Sequence, residues 1–314
     1  MRQEPNQQRY RRLRRGPATG PDLVRNTTLD VYSRVVEQFR HQQQQQPGDP
    51  VDRVIASATD PEIQQTIRYM CDRVAFAREV LQFQPDPEQI PPLKSWAKRL
   101  ILNCNRQWGK STIAAIRALH RAWYWPGSLI VVVSKTQMHS GNLLEKIKAF
   151  FPVLGIAKAK SDGVVRKSLQ LPNGSRIVAL PGGEAPTRSH SRAAMVIIDE
   201  AAMVPDPVHD ALTPTLGRTN GELMLLSTPM GKRGAFYRAW EYGGKGWERV
   251  FGPVNEKAGR IAREHLENEK LRGEDFYAQE YLCQFLDRDS HLFNEDSTQE
   301  VFDKDLETWE ERRL

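Results

Sequence analysis

The chain has 314 residues, 39% hydrophobic and 27% charged, with a formal net charge of +6. That length supports one large α/β domain or two small ones, and a small positive surplus leans only slightly toward a polyanion partner. Apolar runs such as Leu129–Val133 are far too short for a bilayer, no secretory h-region opens the chain, and three scattered cysteines (Cys71, Cys104, Cys283) offer neither a disulfide framework nor a zinc spacing.

Residues 1–52 carry an arginine cluster (Arg9, Arg11, Arg12, Arg14, Arg15) and a glutamine tract, Gln42–Gln46, followed by Pro47-Gly48-Asp49-Pro50. Such composition buries too little apolar area to offset chain entropy, so a disordered basic tail is expected. It is either a solvated tail or an arm for DNA or a partner. A globular domain is expected over residues 53–286. Residues 60–82 have helical spacing through Ile63, Ile67, Met70, Val74, Ala77 and Leu81. A Pro-rich turn, Pro85-Asp86-Pro87 with Pro91-Pro92, interrupts it. Strands are expected over 99–103, 129–134, 195–198 and 223–227, and helices over 111–125, 137–151, 206–216 and 235–242. Apolar strands alternating with helices imply an α/β fold with a mainly parallel sheet covered on both faces. Residues 169–171 and 176–180 flank Pro172-Asn173-Gly174-Ser175, a hairpin signal. There is no internal repeat.

Three motifs carry chemistry. The first, Cys104-Asn105-Arg106-Gln107-Trp108-Gly109-Lys110-Ser111-Thr112, lies between a predicted strand and a predicted helix, the context a P-loop needs. Backbone N–H groups there can cradle phosphate at a helix N-terminus. Lys110 would reach the β- and γ-phosphates of ATP and Ser111 would ligate Mg²⁺. Cys104 stands where the usual pattern has its first glycine, and the bland alternative is an ordinary turn capped by Ser111. The second motif, Met195-Val196-Ile197-Ile198-Asp199-Glu200, is an apolar strand ending in two acids at the edge where α/β proteins bind ligands. Asp199 would hold Mg²⁺, and Glu200 would deprotonate the attacking water. The third, Leu225-Leu226-Ser227-Thr228-Pro229, brings two hydroxyls to the same edge. They are either a γ-phosphate sensor or a strand-end cap. Upstream, Gln89 is a candidate for adenine recognition through its amide, or else a surface glutamine in a proline turn.

Together these residues resemble the large terminase family of tailed bacteriophages. The resemblance rests on Asn105-Arg106-Gln107-Trp108-Gly109-Lys110-Ser111, on Pro85-Asp86-Pro87-Glu88-Gln89, on Ile198-Asp199-Glu200-Ala201-Ala202 and on Ser227-Thr228-Pro229-Met230-Gly231-Lys232-Arg233-Gly234. A later run, Phe276 to Phe285, is similar to the end of the family's ATPase region. The likeness implies a P-loop NTPase of the ASCE/RecA-like kind that hydrolyses ATP with Mg²⁺. It further implies that the protein threads double-stranded DNA into a procapsid through the portal in the bacterial cytoplasm. The implied partners are the portal, a small terminase subunit and further copies in a ring. Arg106 then acts on the γ-phosphate, where its fixed charge meets developing transition-state charge. Its alternative is a structural pair with a carboxylate. A trans-acting arginine is also implied, with Arg166, Arg176, Arg188 and Arg192 as candidates.

Large terminases usually carry a second, metal-dependent nuclease domain. The acids after Phe285 (Asp287, Asp289, Glu295, Asp296, Asp303, Asp305) sit in too little chain for that fold, so residues 287–314 are expected to be a linker without nuclease activity. The competing readings are a helicase-like nucleic-acid translocase and a packaging subunit that binds nucleotide without hydrolysis.

Overall fold

A computed structural model describes residues 61–156, 168–182, 192–256 and 260–287. The expectations for the basic tail, for Arg166 and Arg188, and for the acids beyond Asp287 lie outside the described residues. Among the described residues no helix is long and apolar enough to cross a membrane.

Seven strands form one sheet: β1 Arg99–Cys104, β2 Leu129–Ser134, β3 Ser168–Gln170, β4 Arg176–Pro181, β5 Met195–Asp199, β6 Glu222–Ser227 and β7 Glu248–Gly252. Their order is β3-β4-β2-β5-β6-β1-β7. Every pair is parallel except the β3–β4 hairpin. The expected parallel sheet and hairpin are both present.

The helices are α1 Pro61–Cys71, α2 Arg73–Ala75, α3 Ile90–Lys94, α4 Lys110–Tyr124, α5 Gln137–Lys148, α6 Asp206–Leu212, α7 Gly234–Tyr242, α8 Arg263–Lys270 and α9 Glu274–Glu280. Strand alternation divides the core in two. Leu100, Leu102, Val132, Ile197 and Leu226 pack with Phe76 and the α4 residues Ile113, Ile116 and Leu119 on one face. Ile101, Val131, Val133, Val196, Ile198 and Leu225 pack with Val208, Leu212 and Phe236 on the other.

Several elements depart from expectation for local reasons. The helical pattern over 60–82 breaks at Asp72, whose Oδ1 accepts from Val74 N at 2.8 Å and Ala75 N at 3.1 Å. An aspartate that caps a helix start ends one helix and begins another. Beyond α2 the chain winds as a π-helical turn, Phe76–Val80. The helix expected over 206–216 tightens at Thr213-Pro214 into a 3₁₀ turn, because proline lacks the N–H that an α-helix interior requires. Strand β7 and helices α8 and α9 were not expected at all. β7 is an edge strand of mixed polarity, and Leu266 is the one buried residue of α8.

The end of the sheet away from the strands' C-termini is tied by a buried ion cluster. Glu222 at the start of β6 faces two guanidiniums, with Arg117 Nη2 at 2.8 Å and Arg73 Nη2 at 3.4 Å. Arg117 also donates to Pro92 O and Ser95 O. Arg73 lies 3.7 Å over the Trp96 ring. Burial, reinforced by the neighbouring Arg117 charge, pulls the Arg73 pKa down to about 9. Removing the one buried acid leaves both cations without their compensating charge. Glu222→Ala is therefore expected to cost about 3–5 kcal/mol of folding stability, read from the urea unfolding midpoint. A midpoint within error of wild type contradicts this.

Candidate active site

Parallel pairing brings the C-terminal ends of β2, β5, β6 and β1 to one edge of the sheet, and the loops that leave this edge build the site. The loop after β1 is fastened by Asn105. Its Nδ2 and its backbone N donate to Gly252 O at 3.0 and 2.9 Å, and its Oδ1 accepts from Gln107 N at 3.0 Å. The room that the loop needs comes partly from β7. A Cβ on Gly252 would stand 2.5 Å from Trp108 Nε1 and 2.7 Å from Cys104 Sγ. Cys104 thus takes the place of the usual first glycine, while a glycine across the strand pair gives its side chain space. Its thiol is buried, and burial pushes its pKa up.

Gly109 precedes α4 with φ +92°, a left-handed conformation that other residues adopt at a cost. Lys110 opens α4, and its ammonium donates to Cys104 O and Asn105 O, both at 2.6 Å. Burial lowers the Lys110 pKa, opposed by the acids Asp199 and Glu280 nearby. Asp199 ends β5 almost fully buried. Desolvation raises its pKa against the pull of hydrogen bonds from the Ser111 hydroxyl and the Glu200 N–H and of the Lys110 charge. Glu200 follows with φ +53° and donates its N–H to Asp199 Oδ1 at 2.9 Å. Its Oε2 lies 2.9 Å from His139 Nδ1 and accepts from Ser134 Oγ at 3.4 Å. Ser227 Oγ accepts from Ala202 N at 3.3 Å, which joins the end of β6 to the turn after Glu200.

These groups border one cavity of about 480 Å³. Seven residues singled out from the sequence line it: Arg106, Lys110, Ser111, Asp199, Glu200, Ser227 and Thr228. Lys135, His139 and Met203 line it too, and sequence reasoning missed them. The signal for Lys135 and His139 was available: both follow the C-terminal end of a central strand, β2, at the ligand edge. The cavity juxtaposes three cationic side chains with two carboxylates, a set suited to a polyphosphate together with a metal ion. Among the described residues no group of three or more His, Cys, Asp and Glu could hold a metal alone. Ser111 and Asp199 supply two oxygens, which fits Mg²⁺, an ion that takes its other ligands from phosphate and water.

Gln89, Gln107, Trp108, Gly109 and Thr112 are not among the lining residues. Gln89 is buried against the back of the loop, donating Nε2 to Trp108 O at 2.8 Å and accepting from Asp86 N at 3.1 Å. Trp108 turns its ring into the core. Thr112 is in the first turn of α4, and its N–H donates to Gly109 O. Arg106 is paired with the buried Glu280 of α9, Nε to Oε2 at 2.6 Å, while also lining the cavity. Of the trans candidates, Arg176 opens β4 and Arg192 precedes β5, so both lie toward the opposite edge of the sheet.

A family model described as terminase large subunit, T4likevirus-type, N-terminal, matches residues 101–300. The chain belongs to this family. The terminase large subunit of Thermus phage G20c is 29% identical over 174 residues, covering 49% of this chain and 35% of that protein. The chain thus spans about a third of the length of such relatives. Among solved structures, the large terminase ATPase domain of Thermus phage P74-26 aligns with a TM-score of 0.56 at 23% identity, over 67% of this chain and 97% of that one. The large terminase of a thermophilic bacteriophage, solved in complex with ADP, aligns with a TM-score of 0.53 at 13% identity, over 65% of this chain and 54% of that one. The fold is therefore that of terminase ATPase domains.

A Cβ on Gly109 would meet Gln89 Nε2 at 2.5 Å, on top of the left-handed backbone. Gly109→Ala is expected to destabilise the chain by about 1–2 kcal/mol from the backbone alone. Adding Gln89→Ala should relieve the collision and leave the backbone share, a coupling that a double-mutant thermal unfolding cycle measures. Strict additivity of the two substitutions contradicts the contact.

Proposed function

We propose that this chain is the ATP-hydrolysing motor domain of a phage large terminase that translocates double-stranded DNA into a procapsid. The observation that supports this most is a single cavity bordered by the Lys110 ammonium, the Ser111–Asp199 pair and the Glu200 carboxylate.

Backbone N–H groups at the start of α4, where Lys110 and Ser111 border the cavity, would receive the phosphates of ATP. Lys110, a half-buried cation that now donates to two carbonyls, would turn to the β- and γ-phosphates and gain their full charges in place of those dipoles. Bound Mg²⁺ would neutralise phosphate charge beside Ser111 and Asp199. Glu200 would take a proton from the water that attacks the γ-phosphate. Arg106 pairs with Glu280 while bordering the cavity, where charge would develop on the γ-phosphate. Exchange of Glu280 for that charge would link hydrolysis to α9.

Ser227 and Thr228 would register loss of the γ-phosphate. A route outward exists. Ser227 holds the turn after Glu200, and Asp206 just beyond that turn accepts from Ala235 N at 2.7 Å and pairs with Arg238 at 2.9 Å on α7. Movement of the Glu200 turn would therefore tug the helix that follows β6. Gln89 would act indirectly on the nucleotide, through the loop it clasps. Grip on DNA would be through phosphates, independent of sequence and weakened by salt. The portal, a small terminase subunit and further copies in a ring are the partners this reading assigns. Membership of the terminase family weighs against the helicase-like alternative, and the intact Lys110, Ser111, Asp199 and Glu200 set weighs against a subunit that cannot hydrolyse.

Lys110→Ala and Glu200→Gln are each expected to lower steady-state ATP turnover on the order of 100-fold or more, with Glu200→Gln still binding ATP. Retained hydrolysis in either removes the site assignment. Arg106→Ala should lower kcat on the order of 100-fold with a smaller change in nucleotide affinity. If kcat is unchanged, Arg106 serves only as a partner for Glu280.

A further inference from the structure

The Glu200 carboxylate is set against a residue that the motor reading leaves without a task. His139 belongs to the first turn of α5, which Thr136 caps by accepting from His139 N at 3.3 Å. Its ring borders the cavity, yet its Nδ1 is shielded from solvent and has no aligned hydrogen-bond partner among the described residues. The acceptor in front of that nitrogen is Glu200 Oε2, 2.9 Å away but off the hydrogen-bond direction, so a small rotation of either side chain completes the bond. Ser134 Oγ approaches the same oxygen at 3.4 Å.

We propose that His139 is a positioning residue that fixes the Glu200 carboxylate for attack on the γ-phosphate. This rests on the reading of Glu200 as the base. Glu200 needs such support. Its backbone is left-handed, and its side chain is 39% exposed, so packing holds the carboxylate only in part. A general base must hold its oxygen within hydrogen-bond reach of the water. Two donors from the β2–α5 unit, both on Oε2, would select the rotamer and leave Oε1 to accept the proton. The chemistry also assigns the tautomer. A bare Nδ1 lone pair facing a carboxylate is repulsive, whereas an Nδ1–H satisfies both groups. An ordinary surface contact between these side chains would leave turnover unchanged, so kinetics separates the two roles.

The test compares ATP turnover in Mg²⁺ for the full chain, His139→Ala, His139→Asn and Glu200→Gln. His139→Ala is expected to lower kcat on the order of tenfold or more, with KM for ATP within about twofold. His139→Asn, whose amide nitrogen falls close to the place of Nδ1, should recover most of the loss. An unchanged or raised kcat in His139→Ala, a parallel change in KM, or no recovery with asparagine overturns the proposal. Undiminished turnover in Glu200→Gln instead overturns the assignment of the base, a separate failure. Nitrogen NMR of the imidazole supplies a readout free of hydrolysis. An Nδ1–H tautomer in the unmodified chain that is lost in Glu200→Ala supports the contact, and the same tautomer balance in both overturns it.

Discussion

Parallel hydrogen bonding of β5, β6 and β1 is the constraint from which the site follows. Asn103 sits opposite Ser227, and Asp199 opposite Leu226, so three chain segments far apart in sequence leave the sheet side by side. A parallel ladder keeps strand ends of equal polarity together, whereas an antiparallel one would alternate them. The acids after β5, the hydroxyls after β6 and the Gly109-Lys110-Ser111 loop after β1 meet because no strand between them runs backward. β2 joins the same row through Val133 opposite Ile198, which is why Ser134 and His139 reach Glu200.

The charges gathered there oppose their own burial. Desolvation lowers the Lys110 pKa and raises that of Asp199, so burial disfavours the charged form of each and neighbouring groups offset part of that cost. Beside their attraction for each other, Lys110 donates to two carbonyls, and Asp199 accepts from a hydroxyl and an N–H. Such partners compensate a charge less well than a full counter-charge does. A triphosphate with a divalent cation would supply those counter-charges to both groups together. The site would thus be better satisfied with such a ligand than by its own dipoles, a physical reason for affinity that does not depend on resemblance.

Much of this was legible in the chain. The loop ending in Gly109-Lys110-Ser111, the acids closing an apolar strand and the Ser227-Thr228 pair were readable because each ends a buried strand. Such strands show as unbroken aliphatic runs. What escaped had no such signature. β7 is a short edge strand in which Glu248 and Arg249 interrupt any apolar pattern, so pairing with β1 alone defines it. The tolerance of Cys104 depends on Gly252, almost 150 positions away by sequence. Asp72 looks like one polar residue on a helix face until its carboxylate is seen capping the next turn. Gln89 stands out in its proline turn as a candidate for adenine, but its amide grips Trp108 O, a backbone partner that no side-chain pattern announces. The position of His139 just beyond a central strand was legible, but its partner was not, because the Glu200 carboxylate comes from a turn far along the sequence.

The segment from Val254 to Asp287 ties these observations together. Its backbone closes on itself where Val254 N donates to Tyr281 O, and Asn103 Nδ2 fastens it to the end of β1 by donating to Cys283 O at 2.9 Å. It then touches the loop after β1 through two residues. Glu280 holds Arg106, and Arg260 reaches the Trp108 carbonyl while pairing with Asp86 of the Gln89 turn. The carbonyl of Trp108 therefore receives donors from both Gln89 and Arg260, so the loop is gripped from the N-terminal side of the fold and from the C-terminal side at one atom. A loop held in this way cannot shift to follow a phosphate without changing the contacts of both flanking segments. Their own small core of Ile261, Leu266, Tyr277 and Tyr281 lets the later segment respond as a unit. Coupling between nucleotide and the distal chain then needs no long relay: the parts that would move already share an acceptor with the part that would bind.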